Sequence, residues 1–599
     1  MLAKAQELLQ QYYGYPEFRE GQKHIISALL EGRDTLGIMP TGGGKSICYQ
    51  IPALMMEGVT LVVSPLISLM KDQVDALHTV GIPATFLNST LEAGEAGRRI
   101  REAMQGKYKL LYIAPERLES DWFRQWMHSM NISFVAIDEA HCVSQWGHDF
   151  RPSYVNIAPF VQDLPSRPLV AAFTATATTE VTQDIARLLE LDDPEVVVTG
   201  FGRSNLELSV LRGVNKRDFV FDYAKAHTHQ PGIVYAATRK EVDELYEQLR
   251  RKGLAAGHYH AGLSDEERAR NQEAFLYDDV RVMVATNAFG MGIDKSNVRY
   301  VIHYNMPKNM EAYYQEAGRA GRDGDPSECM LLFSAQDILT QKFLIEQNQL
   351  SQDRKSNEYK KLQTMIDYCH TPRCLQNYIL QYFGDEGELV PCGNCSSCKD
   401  DRETVDITVE AQKIFSCVRR MQERFGISMV AGVLKGSRNK KVLQYKFDNL
   451  PTYGIMKDRT EKEIADLINV LIAEGYMGLS EGQYPVVRLQ APAVEVLQGR
   501  VQVFQKVTPS QPLESAVDNM LFEQLRLLRR DMAAKEKVPP YIIFNDSTLR
   551  EMSERCPTTE AQMLKIKGVG EVKFRNYGLP FLELLQEYVR EQEAYAGEF

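Results

Sequence analysis

Long apolar runs and a secretion signal are absent from this chain of 599 residues. A helix needs about 20 consecutive apolar residues to cross a bilayer, and no run reaches that length. The first ten residues, MLAKAQELLQ, lack a continuous apolar core, and their spacing predicts a short amphipathic helix. We therefore expect a cytoplasmic protein without a membrane partner, whose ten cysteines are reduced thiols or metal ligands rather than disulfides.

An excess of basic residues is also missing, since the net charge is −11. This sum argues mildly against a nucleic-acid partner, but binding depends on where lysines and arginines cluster. Residues 435–459 contain seven of them against two aspartates. This local excess indicates phosphate contacts, with Lys440 and Lys441 as candidates, and a solvated charged surface is the alternative.

The length exceeds what one hydrophobic core supports, and the 44% hydrophobic and 25% charged residues are typical of a soluble globular protein. From the start to about residue 340, strand-like apolar runs alternate with helix-like stretches. This alternation predicts parallel sheets with helices on both faces. The length suits two such units with a seam near residues 199–206, and ligands are expected at the carboxyl ends of the strands.

A glycine-rich stretch, MPTGGGKS, begins at Met39 between a predicted strand at 35–38 and a predicted helix at 47–56. The backbone N–H groups of such a turn point inward and the helix dipole adds its positive end, so phosphate binding is expected. Lys45 would neutralise the β- and γ-phosphates, and Ser46 would offer its hydroxyl to Mg²⁺. An ordinary glycine-rich connection is the alternative, because such loops usually begin with Gly or Ala rather than Met. The candidate nucleotide-binding residues here are Thr41, Gly42, Gly43, Gly44, Lys45 and Ser46.

Two carboxylates follow the predicted strand at 134–137. At a strand end that faces a phosphate loop, Asp138 is expected to hold the Mg²⁺ shell and Glu139 to activate the attacking water as a general base. An isolated pair of this kind would more simply be a solvated acidic turn.

Further along the chain, Arg319 and Arg322 are three residues apart. This spacing predicts that they share one helical face and reach a nucleotide bound across the seam. An arginine in that position stabilises the charge that develops on the transferring phosphoryl group. A basic surface stripe is the alternative.

Motifs in a fixed order resemble those of superfamily-two helicases, namely the glycine-rich loop, Asp138-Glu-Ala-His141, Thr174-Ala-Thr176 and Gln315-x-x-Gly-Arg319-x-Gly-Arg322. The resemblance implies two RecA-like lobes that clamp ATP between them, and it adds His141 and Gln315 to the catalytic candidates. It further implies that Tyr15 stacks on the adenine base and that Arg19 and Gln22 hydrogen-bond it.

The stretch at 142–154, CVSQWGHDFRPSY, mixes aromatic, amide and arginine side chains, which suit base stacking and phosphate contact together. A loop that packs its own aromatic rings is the alternative. The stretch closely resembles the aromatic-rich loop of RecQ-family DNA helicases, which links DNA binding to ATP hydrolysis. DEAH-box RNA helicases lack this loop. The candidate DNA contacts in it are Gln145, Trp146, His148, Phe150 and Arg151.

Two C-x₂-C steps, formed by Cys392, Cys395 and Cys398, follow Cys374 and predict a tetrahedral Zn²⁺ site. Four thiolates leave no open position for water, so the metal is expected to be structural. Cys369 and His370 lie close enough in sequence to compete for the first ligand position, and the RecQ pattern favours Cys374.

From about residue 406 amphipathic helices dominate, and two strands around a turn are predicted at 478–489. Helices followed by a β-hairpin suggest the winged helix with which RecQ-family proteins bind duplex DNA. Our hypothesis is that Tyr484, near the hairpin tip, stacks on the last base pair as the strands part.

The last segment resembles the small helical HRDC domain, with Tyr541 as a candidate DNA contact. Gly568-Val-Gly570 would let backbone N–H groups approach a phosphate, or it forms only a tight turn.

The chain as a whole therefore resembles a bacterial-like RecQ helicase with a single HRDC domain, and a multidomain α/β fold is expected. The expected parts are two RecA-like lobes at 1–205 and 206–345, a zinc-binding subdomain at 346–405, a winged helix at 406–508 and the HRDC domain at 514–599.

The resemblance implies ATP, Mg²⁺ and a structural Zn²⁺ as cofactors, and 3′-to-5′ unwinding of forks, Holliday junctions and other DNA duplexes. The implied processes are recombination, repair with the SOS response, and replication-fork maintenance. A monomer associated with the nucleoid is expected, with single-stranded-DNA-binding protein as a candidate partner. An RNA-directed helicase and an ATP-gated DNA tether without unwinding are the alternatives.

Overall fold

The computed structural model describes residues 1–65, 67–88, 91–147, 149–290, 295–348, 351–385, 390–400, 404–480, 485–506, 520–536 and 538–596. Two of the predicted DNA contacts, His148 and Tyr484, lie outside the described residues. Across the described ranges, none of the helices combines the length and the apolar character that a membrane crossing requires.

The first lobe contains a seven-stranded parallel sheet with strand order β3-β4-β2-β5-β6-β1-β7. The strands are β1 (Thr35–Ile38), β2 (Val59–Val63), β3 (Ala84–Leu87), β4 (Leu110–Ile113), β5 (Ile132–Ile137), β6 (Leu169–Thr174) and β7 (Glu195–Val198). The helices are α1 (Leu2–Tyr13), α2 (Glu20–Leu30), α3 (Lys45–Met55), α4 (Ile67–Thr79), α5 (Ala93–Met104), α6 (Asp121–His128), α7 (Ile157–Asp163) and α8 (Thr179–Leu188), with 3₁₀ turns at Pro115–Glu119, Ala140–Val143 and Pro152–Asn156. Strands β1, β2 and β4 are buried along their whole length, as expected for a sheet covered on both faces.

The second lobe contains a six-stranded parallel sheet with strand order β10-β11-β9-β12-β13-β8. The strands are β8 (Leu206–Arg212), β9 (Gly232–Tyr235), β10 (Ala256–Tyr259), β11 (Val282–Ala285), β12 (Tyr300–His303) and β13 (Ser327–Phe333). The helices are α9 (Lys216–Ala226), α10 (Arg239–Arg251), α11 (Asp265–Leu276), α12 (Met310–Ala317) and α13 (Ala335–Gln347). The chain passes from one sheet to the other between Val198 and Leu206, and the predicted pair of parallel-sheet lobes is confirmed.

An apolar cluster packs the seam between the lobes against the zinc-binding subdomain. That subdomain begins with α14 (Gln352–His370) and α15 (Leu375–Tyr382). The ring of Phe201, which lies in the seam, stacks on Phe383 with centroids 4.5 Å apart and meets Tyr314 of α12 edge-on at 6.1 Å. The seam is therefore a packed part of the core and not a loose linker.

The winged-helix region follows as helices with a β-hairpin, as predicted. The helices are α16 (Thr408–Arg420), α17 (Ile427–Lys435), α18 (Lys440–Gln444), α19 (Glu461–Ala473) and α20 (Ala491–Leu497), with a 3₁₀ turn at Phe447–Asn449. The antiparallel strand pairs are β14 (Thr404–Asp406) with β17 (Phe504–Lys506), and β15 (Met477–Leu479) with β16 (Val487–Leu489). Helix α19 begins at a capping box in which the Thr460 hydroxyl accepts from the Glu463 N–H.

The last unit is all-helical, as predicted, with its own apolar core. The helices are α21 (Met520–Glu536), α22 (Pro540–Ile543), α23 (Asp546–Arg555), α24 (Glu560–Met563), α25 (Glu571–Lys573) and α26 (Leu579–Ala596), with a π-helical turn at Phe574–Gly578. Arg529 is fully buried in this unit and pairs with Asp546 at 2.7 Å.

Candidate functional site

The glycine-rich loop connects β1 to α3 at the carboxyl edge of the first sheet. Helix α3 begins at Lys45, two residues before the predicted start, and Gly44 precedes it with φ 81° in the left-handed region. Met39, which stands where Gly or Ala was expected, is buried in the core and its N–H donates to the Thr174 carbonyl at 3.0 Å. An apolar side chain fits this position because the position still belongs to the sheet.

Gln22 and Arg19 hold the loop from the N-terminal side. The Gln22 Nε2 donates to the carbonyls of Gly43 and Gly44, each at 3.2 Å, and its Oε1 accepts from the Arg19 N–H at 3.0 Å. Arg19 Nη1 donates to the Gly42 carbonyl at 2.8 Å. A Cβ on Gly44 would lie 2.3 Å from Gln22 Nε2, so this position requires glycine. Recognition of the adenine base by Arg19, Gln22 and Tyr15 stays a prediction.

The acidic pair lies in a strained turn after β5. Glu139 has φ 48° and ψ 47°, a left-handed conformation that is unusual for a residue with a side chain. Asp138 Oδ1 accepts from the Glu139 N–H at 3.0 Å, and burial, followed by the charge of Glu139, raises the pKa of Asp138. A buried carboxylate in this condition favours a nearby cation, and Ser46 lines the same cleft. These oxygen donors fit Mg²⁺.

Lys45 and His141 complete the first lobe's contribution. The Lys45 Nζ donates to the Met39 carbonyl at 3.2 Å, and burial lowers the pKa of Lys45. His141 Nδ1 lies 2.9 Å from Thr174 Oγ1 and 3.3 Å from Glu139 Oε2. Burial also lowers the pKa of His141, so a neutral ring orients the turn that carries Glu139.

The prediction that Arg319 and Arg322 share a helical face is wrong. Helix α12 ends at Ala317, and both arginines lie in the turns that follow. After Ala317 the backbone hydrogen bonds change to three-residue turns, in which Arg319 N–H donates to the Glu316 carbonyl, and Gly321 with φ 55° then leaves the helical region. Arg319 is buried and donates to the Gly290 carbonyl.

Arg203, in the seam, ties the two lobes together and is not predicted by the sequence. Its Nη1 donates to the Thr41 carbonyl at 2.6 Å, and its Nη2 donates to the carbonyls of Ala320 at 3.1 Å and Gly321 at 2.8 Å. One guanidinium thereby bridges the phosphate loop and the arginine turns. Its position within the predicted seam at 199–206 is the signal that the sequence offers.

A single cleft of about 690 Å³ collects these groups from both lobes. From the first lobe it is lined by Tyr15, Arg19, Gln22, Thr41, Gly42, Gly44, Lys45, Ser46, Asp138, Glu139 and His141, and from the second by Gln315, Arg319 and Arg322. Gln315 Nε2 donates to Thr176 Oγ1 at 3.1 Å, so the threonine-rich strand end does link the lobes.

The HRDC unit also lines this cleft, which the sequence does not predict. Tyr541, Asn545, Lys567 and Lys573 face the cleft, and Tyr541 is only 9% exposed. Since the Tyr541 ring is covered in this arrangement, its DNA contact stays a prediction for an undocked HRDC unit.

Contacts with both lobes hold the HRDC unit in place. Arg550 pairs with Asp325 at 3.0 Å, and Ser296 Oγ donates to Asn545 Oδ1 at 2.9 Å. On the first lobe, a Cβ on Gly570 would lie 3.1 Å from the backbone nitrogen of Gly14. This close approach favours the tight-turn alternative for the glycine pair.

The aromatic-rich loop exposes part of its predicted contact set. Gln145 and Trp146 are exposed, and Trp146 at 39% is one of the larger apolar side chains open to solvent. Phe150 lies under the Arg354 guanidinium at 4.9 Å, and Arg151 Nη1 donates to the Pro65 carbonyl at 2.7 Å. Phe150 and Arg151 thus have structural partners in this arrangement. Lys440 and Lys441 are both exposed on α18.

Four sulfur atoms converge in the zinc-binding subdomain. The Sγ atoms of Cys374, Cys392, Cys395 and Cys398 all lie within 4.8 Å of one another. Backbone N–H groups donate to them, including Cys395 N–H to Cys392 Sγ at 3.3 Å, and this support suits thiolates on Zn²⁺.

The competition for the first ligand position is decided by this geometry in favour of Cys374. Cys369 is buried in the apolar core outside the cluster. His370 uses Nδ1 to donate to the Ile366 carbonyl at 2.8 Å, and burial lowers its pKa to about 4.

A second group of metal-type ligands, Asp243, His258 and His260, is ordered by hydrogen bonds. The Gly262 N–H donates to His260 Nδ1 at 3.1 Å, so the neutral ring carries its proton on Nε2. That Nε2 donates to Asp243 Oδ1 at 2.9 Å. A metal on Nε2 would need a doubly deprotonated ring, so this group stabilises the turn after β10 instead.

Known protein families match the parts of the chain that carry the cleft and the cysteine cluster. The family matches are the DEAD/DEAH box helicase at 19–185, the helicase conserved C-terminal domain at 215–324, RecQ zinc-binding at 335–399, the RQC domain at 401–514 and the HRDC domain at 518–585. The ATP-dependent DNA helicase RecQ of Bacillus subtilis (strain 168) is 51% identical over 594 residues, covering 98% of this chain and 100% of that protein. This chain belongs to the RecQ helicase family. The predicted resemblance is confirmed.

Two further relatives bear on the function of this RecQ-family chain. The ATP-dependent DNA helicase RecQ of Pasteurella multocida (strain Pm70) is 41% identical over 596 residues, covering 98% of this chain and 94% of that protein. A putative ATP-dependent RNA helicase of Acanthamoeba polyphaga mimivirus is 36% identical over 499 residues, covering 81% of this chain and 90% of that protein. The RecQ zinc-binding match includes all four clustered cysteines, which supports Zn²⁺ as the metal that they bind.

Proposed function

We propose that this chain is an ATP-dependent DNA helicase that moves 3′ to 5′ along one strand and unwinds duplex and branched DNA. The observation that carries the proposal is the shared cleft, in which the phosphate loop and the acidic pair of one lobe face Arg319 and Arg322 of the other. Because the charged groups come from both lobes, the site is complete only when the lobes are correctly placed. Lobe position can then couple hydrolysis to movement.

Each group in the cleft has a separate proposed role. Lys45, Arg319 and Arg322 neutralise the phosphates, and the carboxylate of Glu139 removes a proton from the attacking water. Asp138 and Ser46 would hold Mg²⁺, which when bound offsets the negative charge of the phosphates.

The remaining parts are proposed to choose the substrate. Trp146 offers an exposed ring for base stacking, and Lys440 and Lys441 offer exposed charges for the duplex backbone. Tyr484 is proposed to part the strands, and forked-duplex unwinding by Tyr484→Ala at the wild-type rate would contradict that role. Forks and Holliday junctions in recombination, repair and fork maintenance are the proposed substrates, with a monomer near the nucleoid as the working form and single-stranded-DNA-binding protein as a partner. The proposed domains are the lobes at 1–205 and 206–345, the zinc-binding subdomain at 346–405, the winged helix at 406–508 and the HRDC domain at 514–599.

The deciding experiment compares unwinding of 3′-tailed and 5′-tailed duplexes, each made of DNA and of RNA, with and without ATP. We expect unwinding only of the 3′-tailed DNA and only with ATP. Lys45→Ala is expected to lose DNA-stimulated ATP hydrolysis while keeping DNA binding. Lys240→Ala, which removes a lysine with an 86% exposed side chain, is the matched control and is expected to behave as wild type.

The other outcomes of this experiment correspond to the two alternatives. Preferential unwinding of RNA would favour an RNA-directed helicase, the function named for the mimivirus relative. ATP-dependent binding without strand separation would favour a tether. Phosphate release by Lys45→Ala at the wild-type rate would overturn the role of that lysine.

A further inference from the structure

Lys361, on α14 of the zinc-binding subdomain, contacts two parts of the proposed motor at once. Its Nζ donates to the carbonyl of Trp146 in the aromatic-rich loop at 2.8 Å. The same Nζ pairs with Glu311 Oε1, also at 2.8 Å. The Lys361 and Glu311 side chains are 12% and 4% exposed, so their pair is nearly buried, whereas the charge-assisted bond from Lys361 to Trp146 is open to solvent.

The loop rests on one face of α14 over two helical turns. Arg354, seven residues before Lys361, places its guanidinium over the Phe150 ring at 4.9 Å. The loop is therefore held at both ends of its aromatic stretch by side chains from outside the first lobe. The Trp146 ring itself stays partly open to solvent.

Glu311 connects this link to the nucleotide cleft. It lies in the first turn of α12, whose N-cap Asn309 accepts from the Ala312 N–H at 2.9 Å. Gln315 lies four residues later on the same face of α12, and its Nε2 donates to Thr176 Oγ1. Glu311 and Gln315 therefore lie on one short helix, so a shift of α12 at Glu311 also shifts Gln315, whose side chain contacts the first lobe.

The path continues to the proposed general base. The Thr176 N–H donates to Thr174 Oγ1 at 3.2 Å, and that hydroxyl lies 2.9 Å from His141 Nδ1. His141 Nδ1 lies 3.3 Å from Glu139 Oε2. Hydrogen bonds and one helical turn thus join the Trp146 carbonyl to His141, whose ring lies against the Glu139 carboxylate.

We propose that Lys361 is a positioning residue that couples occupancy of the aromatic-rich loop by DNA to hydrolysis in the cleft. This inference rests on the proposed function, since it assumes that DNA contacts the loop. A strand that stacks on Trp146 shifts the carbonyl to which Lys361 donates, and Lys361 carries that shift to Glu311 and α12. If Lys361 served only to neutralise the charge of Glu311, hydrolysis would not depend on whether DNA occupies the aromatic-rich loop.

The test measures ATP hydrolysis without DNA and across a titration of a single-stranded oligothymidylate. Lys361→Met keeps the length of the side chain and removes its charge. We expect the rate without DNA to stay near wild type and the DNA-stimulated maximum to fall about tenfold, within the range typical of coupling between sites. DNA affinity, measured by fluorescence anisotropy, is expected to stay near wild type. Lys361→Arg is expected to restore most of the stimulation, because it can still donate to both partners.

Lys361→Met also removes the cation that pairs with the buried Glu311 carboxylate and leaves it only the Tyr382 hydroxyl, so a second variant guards against misfolding. The double variant Lys361→Met with Glu311→Gln has no charge at either position of the pair. We expect its DNA stimulation of ATP hydrolysis to fall to the same degree. Lys355→Met is the matched control, because Lys355 lies on the same helix and pairs with Glu346 at 2.9 Å, away from the loop.

The outcomes separate the two proposals. Full DNA stimulation in both the single and the double variant would overturn the role of Lys361. Loss of stimulation in Lys355→Met to the same degree would also overturn it, since any damage to α14 would then suffice. A wild-type protein that DNA does not stimulate would instead overturn the proposed function.

Discussion

Arg203→Ala should weaken ATP hydrolysis although Arg203 belongs to none of the motifs. The guanidinium donates to the Thr41 carbonyl in the phosphate loop and to the Gly321 carbonyl in the arginine turns, at 2.6 and 2.8 Å. Hydrogen bonds to a charged group are worth about 1.5–3 kcal/mol each. Taking only these two, and allowing water to replace about half of their strength, the variant should lose about 1.5–3 kcal/mol of the free energy that favours the closed arrangement.

This loss converts into a measurable rate. Since each 1.4 kcal/mol is about tenfold, kcat/KM for ATP should fall by about 10- to 140-fold at saturating DNA. Arg203→Lys keeps the charge but not the planar fork, so we expect it to recover less than half of the lost free energy. Steady-state phosphate release across an ATP titration measures both variants.

The control is Arg33→Ala, which removes an exposed arginine that pairs with Glu195 and Glu31 on the surface of the same lobe. Exposed pairs of this kind contribute little and lie away from the cleft, so kcat/KM should stay near the wild-type value. If Arg203→Ala keeps a wild-type kcat/KM at an unchanged melting temperature, the backbone alone aligns the lobes and the reasoning fails.

Cys395→Ser should lower the zinc bound per chain, measured by elemental analysis, together with the melting temperature. Arg550→Glu should repel Asp325 and release the HRDC unit, which faster hydrogen exchange at α22 would report. For His370, burial lowers the pKa from 6.5 to about 4, so the unfolded chain binds more protons between these values and stability falls as pH falls. Wild type should therefore lose about 1.3 kcal/mol relative to His370→Gln between about pH 7.5 and 5.5, measured by denaturant unfolding.

Matched variants show what would contradict these expectations. Cys369→Ser, outside the cysteine cluster, should keep its zinc, and equal loss in both variants would refute the ligand assignment. Arg555→Glu faces Glu551 within α23 and should leave the HRDC unit docked. Parallel slopes of stability against pH for wild type and His370→Gln would exclude His370 as the cause.

The elements that the sequence predicts best are those whose local pattern matches their burial. Strand β1 occupies Thr35–Ile38, the predicted residues, because it is buried throughout and followed directly by the glycine turn. Strand β7 shows the opposite case, because its three consecutive valines at 196–198 suggest a buried strand, whereas β7 lies at the edge of its sheet with every side chain at least partly exposed. The helical face predicted for Arg319 and Arg322 failed because spacing alone cannot show that Gly321 adopts a positive φ.

The functional residues also separate into those that local sequence predicts and those that it does not. Lys45, Asp138 and the cysteine cluster follow from residues close together in sequence, where spacing constrains geometry. Arg203 and Lys361 act between segments more than 100 residues apart, as shown by the partners of Arg203 at Thr41 and of Lys361 at Trp146. No local pattern encodes such a contact, because the guanidinium or ammonium group needs only a carbonyl, which every residue provides.

Tyr541 shows that the residue type alone does not decide which ligand a side chain contacts. An aromatic ring beside lysines suits a DNA strand, and the same ring suits the wall of a nucleotide cleft. In this structure it is 9% exposed and lines the cleft, so it cannot stack on a base at the same time. Any DNA contact by Tyr541 therefore requires the HRDC unit to leave the cleft, at the cost of the Arg550–Asp325 pair and the packing of Gly570 on Gly14. Weakening that docking with Arg550→Glu should accordingly raise the affinity of the HRDC unit for a single strand, and an unchanged affinity would mean that Tyr541 serves the cleft alone.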